Sequence, residues 1–219
     1  MPVRVRPWAP SMSIGFEARA VGLWRGDRCL CRDLSFELQP GAVMQLAGPN
    51  GAGKTSLIRT LAGIGRLDEG KIFWKGEDAR DSAAYRHDLL YLGHHNGLKA
   101  HLSPRENYAF YQAVAGRPTQ VTADDALMRC GIADLKDRPV ALLSMGQKRR
   151  TALARLLAAR ARIWLLDEPL ASLDSEGVDL VIGLLKTHVA DGGLAILVTH
   201  QPIAVPGMSM ARVEMGNAS

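Results

Sequence analysis

The residues best suited to chemistry in this 219-residue chain lie between positions 48 and 55. They read Gly48-Pro49-Asn50-Gly51-Ala52-Gly53-Lys54-Thr55 and match the pattern G-x-x-x-x-G-K-[ST] at every fixed position. Glycines let a backbone curl so that its N–H groups surround phosphate oxygens, and a helix that follows adds its positive end. In this pattern Lys54 would reach the β- and γ-phosphates, and the Thr55 hydroxyl would bind Mg2+. The segment therefore predicts a nucleoside triphosphate site.

An acidic pair ends an apolar run further along the chain, at Ile163-Trp164-Leu165-Leu166-Asp167-Glu168. A buried strand of this kind would deliver Asp167 to the Mg2+ side of the phosphates. Glu168, one residue further out, could polarise an attacking water. Kinases, GTPases and many ATPases share these two motifs, so the reaction stays open on this observation alone.

Alternating strand-like and helical stretches must position these residues. The apolar run 43–47 leads into the phosphate loop, and a helix is predicted from Lys54 through Leu61. Apolar runs return at 163–166 and 194–198, and Asp174 could cap a helix between them. Alternation of this kind favours a mostly parallel sheet with helices on its faces.

The middle of the chain carries helical signals almost throughout. Ser103-Pro104-Arg105-Glu106 combines an N-cap serine, a proline at the first helical position and a glutamate three residues after the cap. Gly116 would end that helix, and a second short helix would run from Thr122 to Gly131. We therefore predict a helical insert within the α/β core.

Composition indicates an ordinary folded chain. Hydrophobic residues make up 47% of the sequence, and 27 Lys and Arg against 22 Asp and Glu give a formal charge of +5. These values disfavour disorder, collagen-like repeats and a disulfide-stapled miniprotein. The basic residues are spread along the chain, so we expect a solvated surface and no nucleic acid partner.

The N-terminal residues and the spacing of the cysteines predict the cellular compartment. Residues 1–25 contain several charges and no apolar segment typical of a secretory signal, so we expect a cytoplasmic chain. The three cysteines match no zinc, thioredoxin-type or haem-attachment spacing, and we expect reduced thiols. The longest apolar runs fall far short of the roughly 20 residues that span a bilayer.

A third motif selects among the nucleotide-binding classes. Leu143-Ser144-Met145-Gly146-Gln147 places Ser144 23 residues before Asp167 (167 minus 144), and the sequence here resembles the ATP-binding-cassette family with its L-S-G-G-Q signature. Further along, residues 171–174 resemble the family's D-loop, and Thr199-His200-Gln201 resembles its switch histidine. The four motifs stand in the family's order.

This resemblance implies a fold and a domain plan. We expect an α/β P-loop NTPase with a RecA-like, mostly parallel sheet core, an N-terminal antiparallel β part and a helical subdomain at about residues 95–150. Residues 13–219 would form a single ATPase domain, and residues 1–12 an unstructured extension.

The resemblance also implies a mechanism in which two copies pair head to tail around ATP. The phosphate loop of one copy, with Ser56 after it, would face the signature residues Ser144, Gly146 and Gln147 of the other. Glu168 would be the general base, and His200 would contact the γ-phosphate. The implied cofactors are ATP and Mg2+, the latter bound by Thr55 and Asp167.

The sequence departs from the family pattern in two regions. Met145 replaces the first glycine of the signature pair, and we expect ATP binding to survive this change. His94 and His95 occupy the region where the family has a glutamine that contacts Mg2+ and water. Trp24 is the nearest candidate for an aromatic residue that stacks on adenine.

Within the family, residues 91–99 resemble the Y-L-G-H-Q-x-G-x-K segment of the haem exporter ATP-binding subunit of cytochrome c biogenesis. The resemblance implies a multi-span membrane subunit as partner, an indirect link to a haem chaperone, and a peripheral location at the cytoplasmic side of the bacterial inner membrane. An ATP-binding subunit of another small-molecule exporter is an alternative. A soluble nucleic-acid ATPase is another, although such proteins usually carry a long coiled coil or two cassettes per chain.

Overall fold

The computed structural model describes residues 15–116, 119–200, 203, 207 and 210–216. The predicted N-terminal extension, residues 1–12, lies outside this range. In the described part, the strands are β1 (Phe16–Arg25), β2 (Arg28–Leu38), β3 (Val43–Ala47), β4 (Glu69–Trp74), β5 (Glu77–Asp78), β6 (Leu89–Leu92), β7 (Ile163–Asp167), β8 (Leu194–Val198) and β9 (Met210–Glu214). The α-helices are α1 (Lys54–Leu61), α2 (Ala83–Asp88), α3 (Pro104–Ala115), α4 (Ala123–Arg129), α5 (Met145–Ala154) and α6 (Ser175–Ala190).

The strands form two sheets of opposite character. One has the order β2-β1-β4-β5 and is antiparallel throughout. The other has the order β6-β7-β8-β3-β9, and all four of its pairings are parallel. The fold prediction is confirmed: the chain has a mostly parallel core sheet, helices, and an antiparallel sheet of which β1 and β2 precede the core strands while β4 and β5 follow β3.

Each face of the parallel sheet is covered by its own hydrophobic core. Successive side chains of a strand point to opposite faces, so Ile163 and Leu165 of β7 enter one core while Trp164 and Leu166 enter the other. The first core lies against α1 and the antiparallel sheet, and the second against α6 and the helices between β6 and β7. A strand buried on both faces reads as a continuous apolar run, which is why these strands were predictable.

Local capping signals set the helix ends as predicted. Ser103 and Glu106 form a reciprocal capping box at the start of α3, and Gly116 ends that helix in a left-handed conformation. Thr122 caps α4, and the Asp174 side chain accepts from the Gly177 N–H at the start of α6. No strand occurs among the described residues between β6 and β7. The proposed limits of the helical subdomain, about 95–150, stay a prediction.

Among the residues that the structure describes, no helix combines the length and the apolar character that crossing a bilayer requires.

A buried histidine joins α6 to the parallel sheet. The His188 ring stacks on the Trp164 ring of β7, with centroids 3.8 Å apart and planes 6° from parallel. Its Nε2 lies 3.0 Å from the carbonyl oxygen of Leu194, so this nitrogen donates to it. A Cβ at Gly193 would lie only 2.2 Å from the ring, which accounts for the glycine. Burial lowers the pKa of His188 to about 4.

This burial predicts an acid-sensitive contribution to stability. The folded protein keeps His188 neutral, whereas the unfolded chain protonates it below about pH 6.5. The contribution of His188 to the free energy of unfolding is therefore complete above pH 6.5 and is lost as the pH falls towards about 4. His188→Gln keeps a hydrogen-bond donor that does not titrate. Between pH 7 and pH 4.5 the free energy of unfolding should therefore fall less in this variant than in wild type, and the two decreases should differ by up to about 3 kcal/mol. Urea unfolding over this range measures the difference. His87→Gln, at an exposed histidine, is the control, and equal pH slopes for wild type and His188→Gln would contradict the prediction.

Candidate active site

The phosphate loop follows β3, and its glycines are required by close packing. Gly48 has φ +140°, and a Cβ there would lie 2.3 Å from the carbonyl oxygen of Met215. Gly53 has φ +92°, and a Cβ there would meet Leu30 at 2.9 Å. Both conformations are ones that L side chains rarely adopt. The loop can therefore pack in this conformation against Met215 and against Leu30 of β2 only with glycine at these positions.

The Lys54 side chain is enclosed by the loop that it follows. Its ammonium donates to the carbonyl oxygens of Gly48 at 2.7 Å and Pro49 at 2.9 Å. The buried Ala52 closes the turn, because its N–H donates to the Pro49 carbonyl at 3.2 Å. A cation is thus held at the centre of the loop, where several phosphate charges would collect.

A hydroxyl and a carboxylate meet where the loop faces the end of β7. The Thr55 hydroxyl donates to Asp167 Oδ1 at 3.3 Å. Asp167 is fully buried, and its Oδ2 has no hydrogen-bond partner in the described part of the chain. Burial raises the pKa of this carboxyl above its ordinary value. A buried oxygen without a partner, next to a hydroxyl, fits a hard divalent cation that takes its other ligands from phosphate and water.

Glu168 stands just beyond β7 in a strained conformation. Its φ is +52°, in the left-handed region, and its N–H donates to the Val198 carbonyl at 2.8 Å. The side chain turns towards His200, the second residue after β8, since Glu168 Oε1 lies 3.3 Å from His200 Nε2. A carboxylate and an imidazole therefore face each other beside Asp167.

These groups open into one cavity of about 1050 Å³. From the predicted set, its lining includes Asn50, Gly51, Gly53, Lys54, Thr55, Ser56, Asp167, Glu168 and His200. The structure thus brings together two carboxylates, an ammonium, hydroxyls and an imidazole at one edge of the sheet. Such an arrangement can hold a polyphosphate with a metal ion and activate a water beside it.

The signature residues lie elsewhere on the surface. Ser144 caps α5 and forms a capping box with Gln147, and neither residue lines the cavity of its own chain. A Cβ at Gly146 would lie 2.9 Å from the Ser172 carbonyl oxygen, whereas the Met145 side chain is 63% exposed. Packing therefore requires a glycine at 146 but not at 145, which accounts for the departure at Met145.

Other residues also line the cavity. Arg25, Tyr91, Tyr111 and Arg155 had no site role in the sequence prediction, whereas His94 and His95 were placed where the family has its glutamine. The Trp24 ring instead packs against Gly22, where a Cβ would lie 2.5 Å from it. Arg25, the next residue in the chain, lines the cavity. The stacking role of Trp24 stays a prediction.

Known proteins are similar to this chain in sequence and in fold. A model of the ABC transporter family matches residues 31–171. Three curated proteins share one description, cytochrome c biogenesis ATP-binding export protein CcmA. The one from Yersinia pestis is 44% identical over 92% of this chain and 93% of its own length. Those from Methylococcus capsulatus and Aliivibrio fischeri are 46% and 41% identical, over 84% and 91% of this chain and 89% and 98% of theirs.

The chain belongs to the ABC transporter family and, within it, to the cytochrome c biogenesis ATP-binding export proteins. It is an ABC-type ATPase. Two solved structures share its fold. An ABC transporter ATP-binding protein from Pyrococcus furiosus has TM-score 0.79 at 21% identity, covering 92% of this chain and 97% of its own. A dimeric, post-hydrolysis ATP-binding cassette bound to ADP and Pi has TM-score 0.75 at 22% identity, covering 85% and 88%. The resemblance identified from the sequence is confirmed.

The enclosed ammonium of this ATPase gives a first test of the site. Lys54→Ala removes the only charge within the phosphate-loop motif, so ATP affinity should fall about 10- to 100-fold. Fluorescence titration with a labelled ATP analogue measures this change. Lys71→Ala, at an exposed lysine on β4, serves as the control and should bind as wild type does. Unchanged affinity in Lys54→Ala would mean that the loop does not cradle the phosphates.

Proposed function

We propose that this ATPase powers haem export, or release of haem from its chaperone, during maturation of c-type cytochromes. The observation that carries the proposal is the 40–46% identity to cytochrome c biogenesis ATP-binding export proteins, in the best cases over about nine-tenths of both chains. Its partner would be a multi-span membrane subunit, and its location the cytoplasmic side of the bacterial inner membrane. The haem chaperone would be reached through that subunit.

In the proposed reaction, Glu168 accepts a proton from the attacking water. The water oxygen bonds to the γ-phosphorus as the bond from that phosphorus to the β–γ bridging oxygen breaks, and ADP and phosphate leave. Lys54 and the loop N–H groups hold the phosphates, and His200 donates a hydrogen bond to the γ-phosphate. Thr55 and Asp167 would hold Mg2+, which supplies charge neutralisation on the phosphate oxygens when bound.

The signature residues are proposed to complete the site of a second copy. Ser144, Gly146 and Gln147 stand at the N-terminus of α5, where the helix dipole favours an anion. In a head-to-tail dimer this end would face the γ-phosphate held by the partner's loop. ATP would then hold the two copies together, and hydrolysis would release them and drive the membrane subunit between two states.

The role of Glu168 is tested by Glu168→Gln, which keeps the shape of the side chain and removes its basicity. We expect kcat to fall at least about 100-fold while ATP binding persists. The ATP-bound dimer should then accumulate and appear in gel filtration. Glu176→Gln, at an exposed position in the first turn of α6, is the matched control. Unchanged turnover in Glu168→Gln would exclude it as the general base.

The biological role is tested by haem-stained gels of membranes from the native host. Deleting the gene should abolish covalently attached c-type haem, and a Lys54→Ala copy should fail to restore it while the wild-type copy succeeds. Restoration by Lys54→Ala would contradict an ATP-driven step. Normal c-type cytochromes in the deletion strain would instead favour an exporter of another small molecule.

A further inference from the structure

One buried guanidinium connects the helical insert to the catalytic edge of the sheet. Arg149 lies on α5, five residues after Ser144, and is 2% exposed. Burial lowers its pKa to about 10, while the nearby carboxylates of Asp167 and Glu168 oppose that shift. The side chain therefore stays cationic at neutral pH, with its charge met by the groups around it.

Three of the hydrogen bonds of Arg149 go to three successive backbone carbonyls. Its Nη2 donates to the oxygens of Asp167 at 3.1 Å and Glu168 at 2.6 Å, and its Nε donates to Pro169 at 3.2 Å. In an extended strand, successive carbonyls point in alternate directions. They converge here because Glu168 is left-handed, with φ +52°.

The remaining hydrogen bonds of Arg149 reach the segment 93–97, which follows β6. Its Nη1 donates to the Gly93 carbonyl at 3.2 Å and to Asn96 Oδ1 at 2.9 Å. The same segment is held by Arg155, which donates to the Asn96 carbonyl at 2.9 Å and stacks on the Tyr111 ring. This segment lines the nucleotide cavity through Gly93, His94, His95 and Gly97.

We propose that Arg149 is a positioning residue that holds Glu168 in its left-handed conformation and thereby aims its carboxylate into the cavity. Arg149 also binds Asn96. The orientation of the Glu168 carboxylate therefore depends on how the segment 93–97 packs against α5. The inference rests on the proposed role of Glu168 as general base. It adds a connection from α5 to the general base that does not require Arg149 to touch the nucleotide.

The planar shape of the guanidinium is what this role requires. Five N–H donors spread over three nitrogen atoms can meet five acceptors lying on two separate segments. A lysine ammonium keeps the charge but places its three donors on one atom, so it cannot span Pro169 and Asn96 together. Arg149→Lys therefore separates the geometry of the contact from its charge.

The test measures ATP hydrolysis by the full chain carrying Arg149→Lys. We expect kcat to fall about 10- to 100-fold, with KM for ATP within about threefold of wild type. The variant would misplace the Glu168 carboxylate but leave the groups that bind ATP unchanged. Arg150→Lys is the matched control. That side chain lies on the same helix, partly buried, but contacts the Cys130 carbonyl and Asp174. An equal loss in the two variants would overturn the proposal.

A double-mutant cycle distinguishes an effect of Arg149 that acts through Glu168 from a general loss of structure. If Arg149 acts through Glu168, Arg149→Lys should lower kcat less than about twofold when it is added to Glu168→Gln. A full additional loss would overturn the inference. If Glu168→Gln alone leaves kcat unchanged, the proposed role of Glu168 as general base fails. A low kcat in Glu168→Gln with a normal kcat in Arg149→Lys overturns only this inference.

A milder variant covers the case in which Arg149→Lys does not fold. Asn96→Ala removes one acceptor of the guanidinium and leaves the carbonyl contacts in place. Its kcat should fall about three- to tenfold, again without a matching change in KM. Adding Asn96→Ala to Glu168→Gln should not lower kcat further than Glu168→Gln does alone. Wild-type kcat in Asn96→Ala would exclude the connection to segment 93–97.

Discussion

The site depends on parallel pairing of strands that are distant in the sequence. The phosphate loop follows β3, His200 follows β8 and Asp167 ends β7, and these three strands are neighbours in one sheet. Because parallel strands end at the same edge, groups separated by more than a hundred residues come together without any long arm. The two hydrophobic cores, one on each face, hold this edge in place. A change that weakened either core would therefore disturb the chemistry from outside the cavity.

Much of this arrangement was predictable from local signals. Strands buried on both faces appear as unbroken apolar runs, and the capping residues Ser103, Thr122 and Asp174 set helix ends at the predicted positions. The phosphate loop was predictable because its glycines meet steric requirements that few other sequences satisfy. The pairing order of the strands was not predictable, because it depends on contacts between distant segments that leave no local trace in the sequence.

Arg149 shows why part of the site was missed. With Ala152, Leu153 and Leu156 it forms an i, i+3, i+4, i+7 pattern, and all four are buried. A charged residue on the apolar face of a helix was the available signal, but it stands beside two other basic residues in a run that suggests a solvated surface. Its acceptors are backbone carbonyls, which no side-chain pattern reveals. Only the tertiary structure shows that Glu168 is held in a left-handed conformation.

The packing of Gly48 against Met215 has a consequence for how the protein is made. Met215 follows β9, which pairs with β3, and its N–H donates to the Ala47 carbonyl at 2.8 Å. The wall behind the phosphate loop is thus formed by residues that the ribosome adds more than 160 positions later (215 minus 48). During translation the loop emerges without this support. The loop can therefore gain this packing only after residues 210–215 have been made and β9 has paired with β3.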